Sequence, residues 1–166
     1  MSKLALHTCC APCLIGAYDV LDDEQIIAVY YNPNIAPDEE YIRRRDTFRQ
    51  YASDNDIDFV ELPYDPEAWN EVTQDGALPQ PERCHACYKL RLDRVAQWAS
   101  EHGYDALTTT LSISPYQDQE AIAEVAPATY IPYNFRPHFL EAQQRARELS
   151  LYRQNYCGCL PSKERR

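Results

Sequence analysis

The sequence predicts an α/β protein built on a parallel sheet of about five strands with helices on both faces. Strand-like and helix-like segments alternate along the whole chain, and that alternation implies parallel strands joined by crossover helices. Its 166 residues suffice for one domain with a proper core, and no repeat, low-complexity stretch or linker divides residues 1–166. A hydrophobic content of 45% with 25% charged residues is ordinary for a soluble globular chain.

Residues 3–8 (KLALHT) read as a short buried strand, and APCLIGAYDVL after it as a helix with Pro12 in its first turn. QIIAVYY at 25–31 is a second strand, rich in β-branched and aromatic residues. NPNIAP is a loop, and Pro37 then opens a charged helix to about Asn55. IDFVEL is a third strand, DPEAWNEV a short helix, and a polar loop follows to Arg83. From Cys84 a helix runs to His102, with Gly103 as its stop. DALTTTL is a fourth strand, SPYQDQEAIAEV a helix begun by Ser114 and Pro115, and ATYIPY a fifth strand. The last helix covers about 137–149. In open sheets of this kind ligands bind at the carboxyl ends of the strands. The first cysteine group, YYNPN and TTTLSISPY all follow strands and should share that rim.

No run of 18 apolar residues is present, so no membrane span is expected. The opening MSKLALHTCC holds an apolar stretch too short for a secretory leader, and a cytoplasmic protein is expected. A net charge of −10 argues against casual nucleic-acid binding. Charge is segregated, however: apart from Lys3, every Lys and Arg falls within 43–49, 83–94, 136–153 or 163–166. A local basic surface is therefore compatible with the acidic whole, as are ordinary solvated helix faces.

Seven cysteines in a reducing compartment do not suggest a disulfide framework; their spacing suggests metal or redox chemistry. HTCCAPC supplies Cys9, Cys10 and Cys13, and RCHACY supplies Cys84 and Cys87. Cys84 and Cys87 are three apart at a helix start and share a face, and Cys10 and Cys13 repeat that spacing. Helix N-termini favour the thiolate that a metal requires. Four thiolates from two helix starts can close a Cys₄ site. Two separated knuckles suit zinc, whereas adjacent Cys9 and Cys10 suit the distinct iron corners of a cluster. One thiol is then left over, Cys13 in this reading, for a second metal ion or for packing.

His7 and His85 neighbour the cysteines as candidate donors or as core and surface histidines, and His102 reads as a helix C-terminal residue. Tyr30 and Tyr31 could stack on a base or pack a strand end; Ser112 and Ser114 could meet substrate, Ser114 also as a helix cap. Near the end, LYRQNYCGC places Cys157 and Cys159 around Gly158. A disulfide across one residue needs a sharp backbone fold and is readily reduced, which suits a switchable redox couple; metal ligation is the alternative.

Taken together, LHTCCAPC, YYNPNI followed by EEYIRR, RCHACYKLRL, TTTLSISPY and LYRQNYCGC resemble, in order and over nearly the whole chain, the QueH-type epoxyqueuosine reductases. The resemblance implies a Rossmann-like fold similar to the α-hydrolase-like nucleotide-binding (HUP) folds and a [4Fe-4S] cluster. It implies removal of the epoxide oxygen of epoxyqueuosine at the wobble position of tRNA, the last step of queuosine biosynthesis. By motif, Cys9, Cys10, Cys84 and Cys87 would ligate the cluster, and Cys157 and Cys159 would form the redox-active disulfide. An extra iron or other metal ion beside the cluster would suit Cys13. The partners implied are tRNA carrying epoxyqueuosine and an external electron donor, with no membrane. Two other classes stay open. A PP-loop-like tRNA-thiolating enzyme should carry a glycine- and serine-rich loop where this chain reads TCCAPC. A zinc-stabilised, non-catalytic binding module would have little use for Cys-Gly-Cys.

Overall fold

Side chains along β1 (Lys3–His7) alternate between two apolar layers, Leu4 and Leu6 entering one and Ala5 the other. The computed structural model describes residues 3–21 and 25–164. β1 is central, flanked by β2 (Gln25–Tyr30) and β4 (Ala106–Thr109), with β3 (Phe59–Glu61) beyond β2. All pairs are parallel, and Leu4 registers with Ile26 on one side and Ala106 on the other. β2 repeats the alternation, with Ala28 and Tyr30 in the first layer and Val29 and Tyr31 in the second.

Helices α1 (Ala11–Val20), α2 (Asp38–Asp54) and α6 (Phe139–Glu148) cover the first layer with Leu14, Phe48 and Ala142. Helices α4 (Glu82–Glu101) and α5 (Gln119–Val125) cover the second with Leu92, Val95 and Ile122. This division follows from connectivity. The chain steps outward from β1 to β2 and β3, then returns to β4 on the far side of β1, so right-handed crossovers place helices on opposite faces. The carboxyl ends of β1 and β4 therefore mark the point where strand order reverses. Close packing is most acute at Gly16 of α1, where an added Cβ would overlap the Ile113 side chain and lie 3.0 Å from the Ala142 Cβ. A methyl there would force α1 away from α6.

Among the described residues the sheet has four strands, not five. ATYIPY contributes one bridge, Tyr130 to Leu107, held by the Ile131 N–H donating to the Leu107 carbonyl at 2.8 Å. Pro127 just before the stretch and Pro132 within it lack the N–H groups a longer ladder needs. Ser114 does not start a helix either. Strand β4 runs into a 3₁₀ turn, Thr110–Ile113, and α5 begins later, capped by Asp118 accepting from the Ala121 N–H at 3.1 Å. A short helix α3 (Pro66–Thr73) packs Trp69 beside Cys87, and α7 (Leu160–Glu164) follows the Cys-Gly-Cys tail. Among the described residues no helix is long and apolar enough to cross a membrane.

Candidate active site

Strand β1 ends at His7, two residues before Cys9, and Cys10, in extended conformation, is the N-terminal flanking residue of α1. Cys13 lies in the first turn, its sulfur 3.0 Å from that of Cys10; Cys10 and Cys9 sulfurs are 3.9 Å apart. Their three sulfurs lie within 4.8 Å of one another, and no other such group of Cys, His or carboxylate atoms occurs among the described residues. No acid stands in the first turn of α1, so a thiolate supplies the anion the helix terminus favours. Of the three thiols Cys9 is the one that ionises most readily, its pKa drawn well below the usual thiol range by hydrogen bonds from Cys10 and Cys13, then from Thr110. Burial pushes Cys10 up to about 12, and Cys13 is raised as donor to the other two.

The 3₁₀ turn after β4 completes this nest. The Cys9 N–H donates to Thr110 Oγ1 at 3.0 Å, and that hydroxyl lies 3.1 Å from Cys9 Sγ. His7 is fully buried with both ring nitrogens engaged. Nε2 donates to the Tyr31 carbonyl at 3.0 Å and Nδ1 accepts from Thr109 Oγ1 at 2.8 Å, which sets the tautomer. Burial, reinforced by Arg91, lowers its pKa to about 3. His7 is thus a neutral brace between three strands, not a proton donor to substrate.

Cys84 lies near the start of α4, half-buried, with Gln80 Nε2 donating to its sulfur at 3.1 Å. Cys87, one turn on, packs against Trp69 and Cys159. Arg91, another turn along the same face, is fully buried; its Nη2 donates to Asn32 Oδ1 at 2.6 Å and its Nη1 lies 3.7 Å from Cys87 Sγ. Asn32 in turn donates to the Thr8 carbonyl at 3.0 Å. This buried cation acts on Cys87, Cys157 and Cys9 together, favouring the thiolate form of each against the burial that opposes it.

The tail returns to the same place. Gly158 has φ +144°, a backbone state side chains rarely adopt, and its carbonyl accepts from the Ala36 N–H at 2.9 Å. Cys157 and Cys159 are free thiols, and Gln117 Nε2 lies 3.4 Å from Cys157 Sγ. Burial pushes the Cys157 thiol up to about 11 despite the opposing Arg91 charge. Cys9, Cys13, Cys84, Cys157 and Cys159 all line one cavity of about 430 Å³ at the strand-reversal point. Five of seven thiols from three distant stretches of sequence thus share a wall.

Residues 4–165 match the family model described as Epoxyqueuosine reductase QueH. The chain belongs to the epoxyqueuosine reductase QueH family. It is 32% identical over 178 residues to the QueH epoxyqueuosine reductase of Staphylococcus epidermidis, covering 95% of this chain and 75% of that protein. The relative from Acinetobacter baylyi is 33% identical over 178 residues, covering 96% and 80%. The fold resembles the U34-tRNA thiolase NcsA from Methanococcus maripaludis, solved with its [4Fe-4S] cluster, at a TM-score of 0.55 and 12% identity. That alignment covers 93% of this chain but only 58% of the thiolase.

Within this member of the QueH family several other residues singled out in the sequence are structural. Tyr30 is fully buried and stacks on Phe48 at 5.0 Å, and Tyr31 is buried in the opposite layer. Ser112 is buried and donates to the Thr109 carbonyl, whereas Ser114 does line the cavity. His102 binds the Trp98 carbonyl at 2.7 Å and closes α4. The basic run at 43–45 is committed elsewhere: Arg44 is buried, Arg43 stacks on Tyr152 at 3.7 Å, and Arg45 pairs with Asp46. Arg165 and Arg166 of the last basic group lie outside the described residues. Sequence reasoning missed Arg44, Arg91 and Gln117. The only signal for Arg91 was its spacing of four from Cys87, which puts both on one helix face.

Proposed function

We propose that this chain reduces epoxyqueuosine in tRNA to queuosine, with the epoxide oxygen leaving as water. The observation that carries this reading is the gathering of Cys157 and Cys159 with Cys9, Cys13 and Cys84 on one cavity wall. The donor set fits a [4Fe-4S] cluster, because it offers soft thiols and, among the described residues, no carboxylate lines the cavity. Cys9, Cys10, Cys84 and Cys87 would hold the cluster, and Cys13 a metal ion beside it. When bound, the cluster would supply single-electron transfer or Lewis acidity toward the leaving oxygen.

The chain's own residues account for the remaining balance. Oxidation of the Cys157–Cys159 dithiol to a disulfide releases two electrons and two protons. Breaking both C–O bonds of the epoxide consumes those electrons, leaves a C=C bond, and joins the oxygen to the two protons as water. Cys157 keeps its proton at neutral pH because burial raises its pKa to about 11, so hydrogen is stored on sulfur until turnover. Gln117 orients that thiol while accepting from Tyr88 Oη at 2.6 Å. An external electron donor then restores the dithiol, and cytoplasmic tRNA is the substrate pool. Mass analysis of tRNA nucleosides from cells lacking the gene tests the reading. Epoxyqueuosine should accumulate with loss of queuosine; unchanged queuosine with loss of a thiolated nucleoside would make the chain a thiolase instead.

A further inference from the structure

Although acidic residues outnumber basic ones 26 to 16 in the whole chain, the cavity wall, among the described residues, carries three arginines and no aspartate or glutamate. One of the three, Arg44, is buried and bound to backbone carbonyls. The other two, Arg147 and Arg153, are exposed at the mouth, and each contacts only a neutral glutamine amide oxygen, at 3.3 Å. Neither makes an ion pair among the described residues, whereas Lys89, Arg45, Arg49 and Arg145 all do. Two large apolar side chains complete the rim: Tyr116, 77% exposed, from the loop before α5, and Leu140, 79% exposed, from α6.

The periodicity of α6 explains why these groups meet. Ala142 and Ala146 are buried in the first apolar layer, so Leu140, Gln143 and Arg147, spaced three and four apart, share a different face and line the cavity. Exposed apolar residues beside unneutralised cations at a cavity mouth are the chemistry of single-stranded nucleic acid: bases find apolar faces and phosphates find guanidinium groups.

We propose that the mouth formed by Tyr116, Leu140, Arg147 and Arg153 is the docking face for the anticodon loop of the tRNA, a proposal that rests on the function given above. Tyr116 and Leu140 brace bases neighbouring the modified one, and the two arginines take phosphates of the same strand. The modified base enters the cavity between them. Its volume of about 430 Å³ falls in the small-ligand range of about 300–1,000 Å³.

The test is equilibrium binding of tRNA to the full-length protein across a salt series, with turnover of epoxyqueuosine-tRNA measured separately. All four side chains stand at the surface, so their replacement leaves the core intact. Replacing Arg147 and Arg153 together with Ala should lower the slope of log affinity against log salt by about 1.4, two single-strand phosphate contacts' worth. The Lys pair should restore most of that slope. Tyr116→Ala should weaken binding about 5- to 150-fold, the effect of losing one stacked base. Lys89→Ala with Arg94→Ala, the same charge change at a separate groove, should leave affinity unchanged. If the wild type turns over but all rim variants bind as it does, the docking proposal is overturned and the reductase reading stands. If the wild type binds through this rim and leaves the epoxide intact, docking stands and the reductase reading fails.

Discussion

Arg44 Nη1 donates to the backbone carbonyl of Cys157 at 2.9 Å, spanning 113 residues of sequence to fix the Cys-Gly-Cys tail against α2. Its Nη2 reaches the Tyr156 carbonyl at 3.0 Å, while Nε pairs with Glu40 at 2.7 Å. Glu40 also accepts from Tyr152 Oη at 2.7 Å, and Tyr156 Oη donates to the Ala36 carbonyl at 2.6 Å. The tail is thus fastened by a buried cation with every partner in place, and Cys157 is presented to the cavity as a consequence.

Removing that cation should release the tail. Arg44→Ala strands Glu40 and two carbonyls and should cost about 3 kcal/mol, in the range for breaking a buried pair. Denaturant unfolding would measure the loss. Alkylation rates of Cys157 in the folded variant should rise, and Arg44→Lys should recover only part of either effect because one ammonium cannot serve both carbonyls and the carboxylate. Wild-type stability and thiol reactivity in Arg44→Ala would remove Arg44 from this role.

Gly158→Ala should be as disruptive as its small size is misleading. At φ +144° a Cβ would meet Asn34 Nδ2 at 2.8 Å and Ile35 Cγ1 at 3.0 Å. Backbone strain alone costs of order 1–3 kcal/mol at such a position. Limited proteolysis should cut the variant near the tail faster than wild type. Identical cleavage rates would show that the tail tolerates the side chain.

Thiol chemistry at Cys157 should depend on pH in one direction. Burial raises its pKa to about 11, so the reactive thiolate is scarce at neutral pH and grows about tenfold per unit up to that value. Alkylation of the reduced, metal-free protein, mapped to the tail peptide by mass, should therefore keep accelerating beyond pH 9. A plateau below pH 9 would contradict the buried-thiol account.

Much of this was legible in the sequence because it is local. Alternating strands and helices, Pro12 at the start of α1 and the spacing of Cys84 and Cys87 depend on periods of two and 3.6 residues. The fifth strand failed because ATYIPY has the right residue types but follows Pro127 and contains Pro132, which restrict it to one bridge. The α5 start failed because Ser114 Oγ accepts from the Tyr116 N–H in a turn, leaving the cap to Asp118. Arg44 lay beyond reach for a different reason. Within EEYIRRR it looks like its solvated neighbours, and only the tertiary return of residues 152–158 makes it buried. Cys13 was read as a thiol left over for a second metal ion or for packing, and the structure seats it with Cys9 and Cys10, the three sulfurs within 4.8 Å of one another.

That placement of Cys13 makes the ligand set testable. In anaerobically reconstituted protein, Cys84→Ser and Cys87→Ser should each lose the broad thiolate–iron absorption near ~400 nm and much of the bound iron and sulfide. Cys13→Ser should keep the cluster band. The reverse pattern, retention in Cys87→Ser and loss in Cys13→Ser, would transfer the fourth ligand to α1.

The most direct test of the central claim is single-turnover reaction of dithiol-reduced, cluster-loaded protein with epoxyqueuosine-tRNA under anaerobic conditions, with nucleosides resolved by mass. Wild type should yield queuosine, lighter by one oxygen, together with a Cys157–Cys159 disulfide in equal amount. Cys157→Ser and Cys159→Ser should bind the tRNA yet fail to complete the reduction, since one thiol cannot supply both electrons. Full conversion by both variants, or queuosine formed while both wild-type thiols stay reduced, would contradict the account.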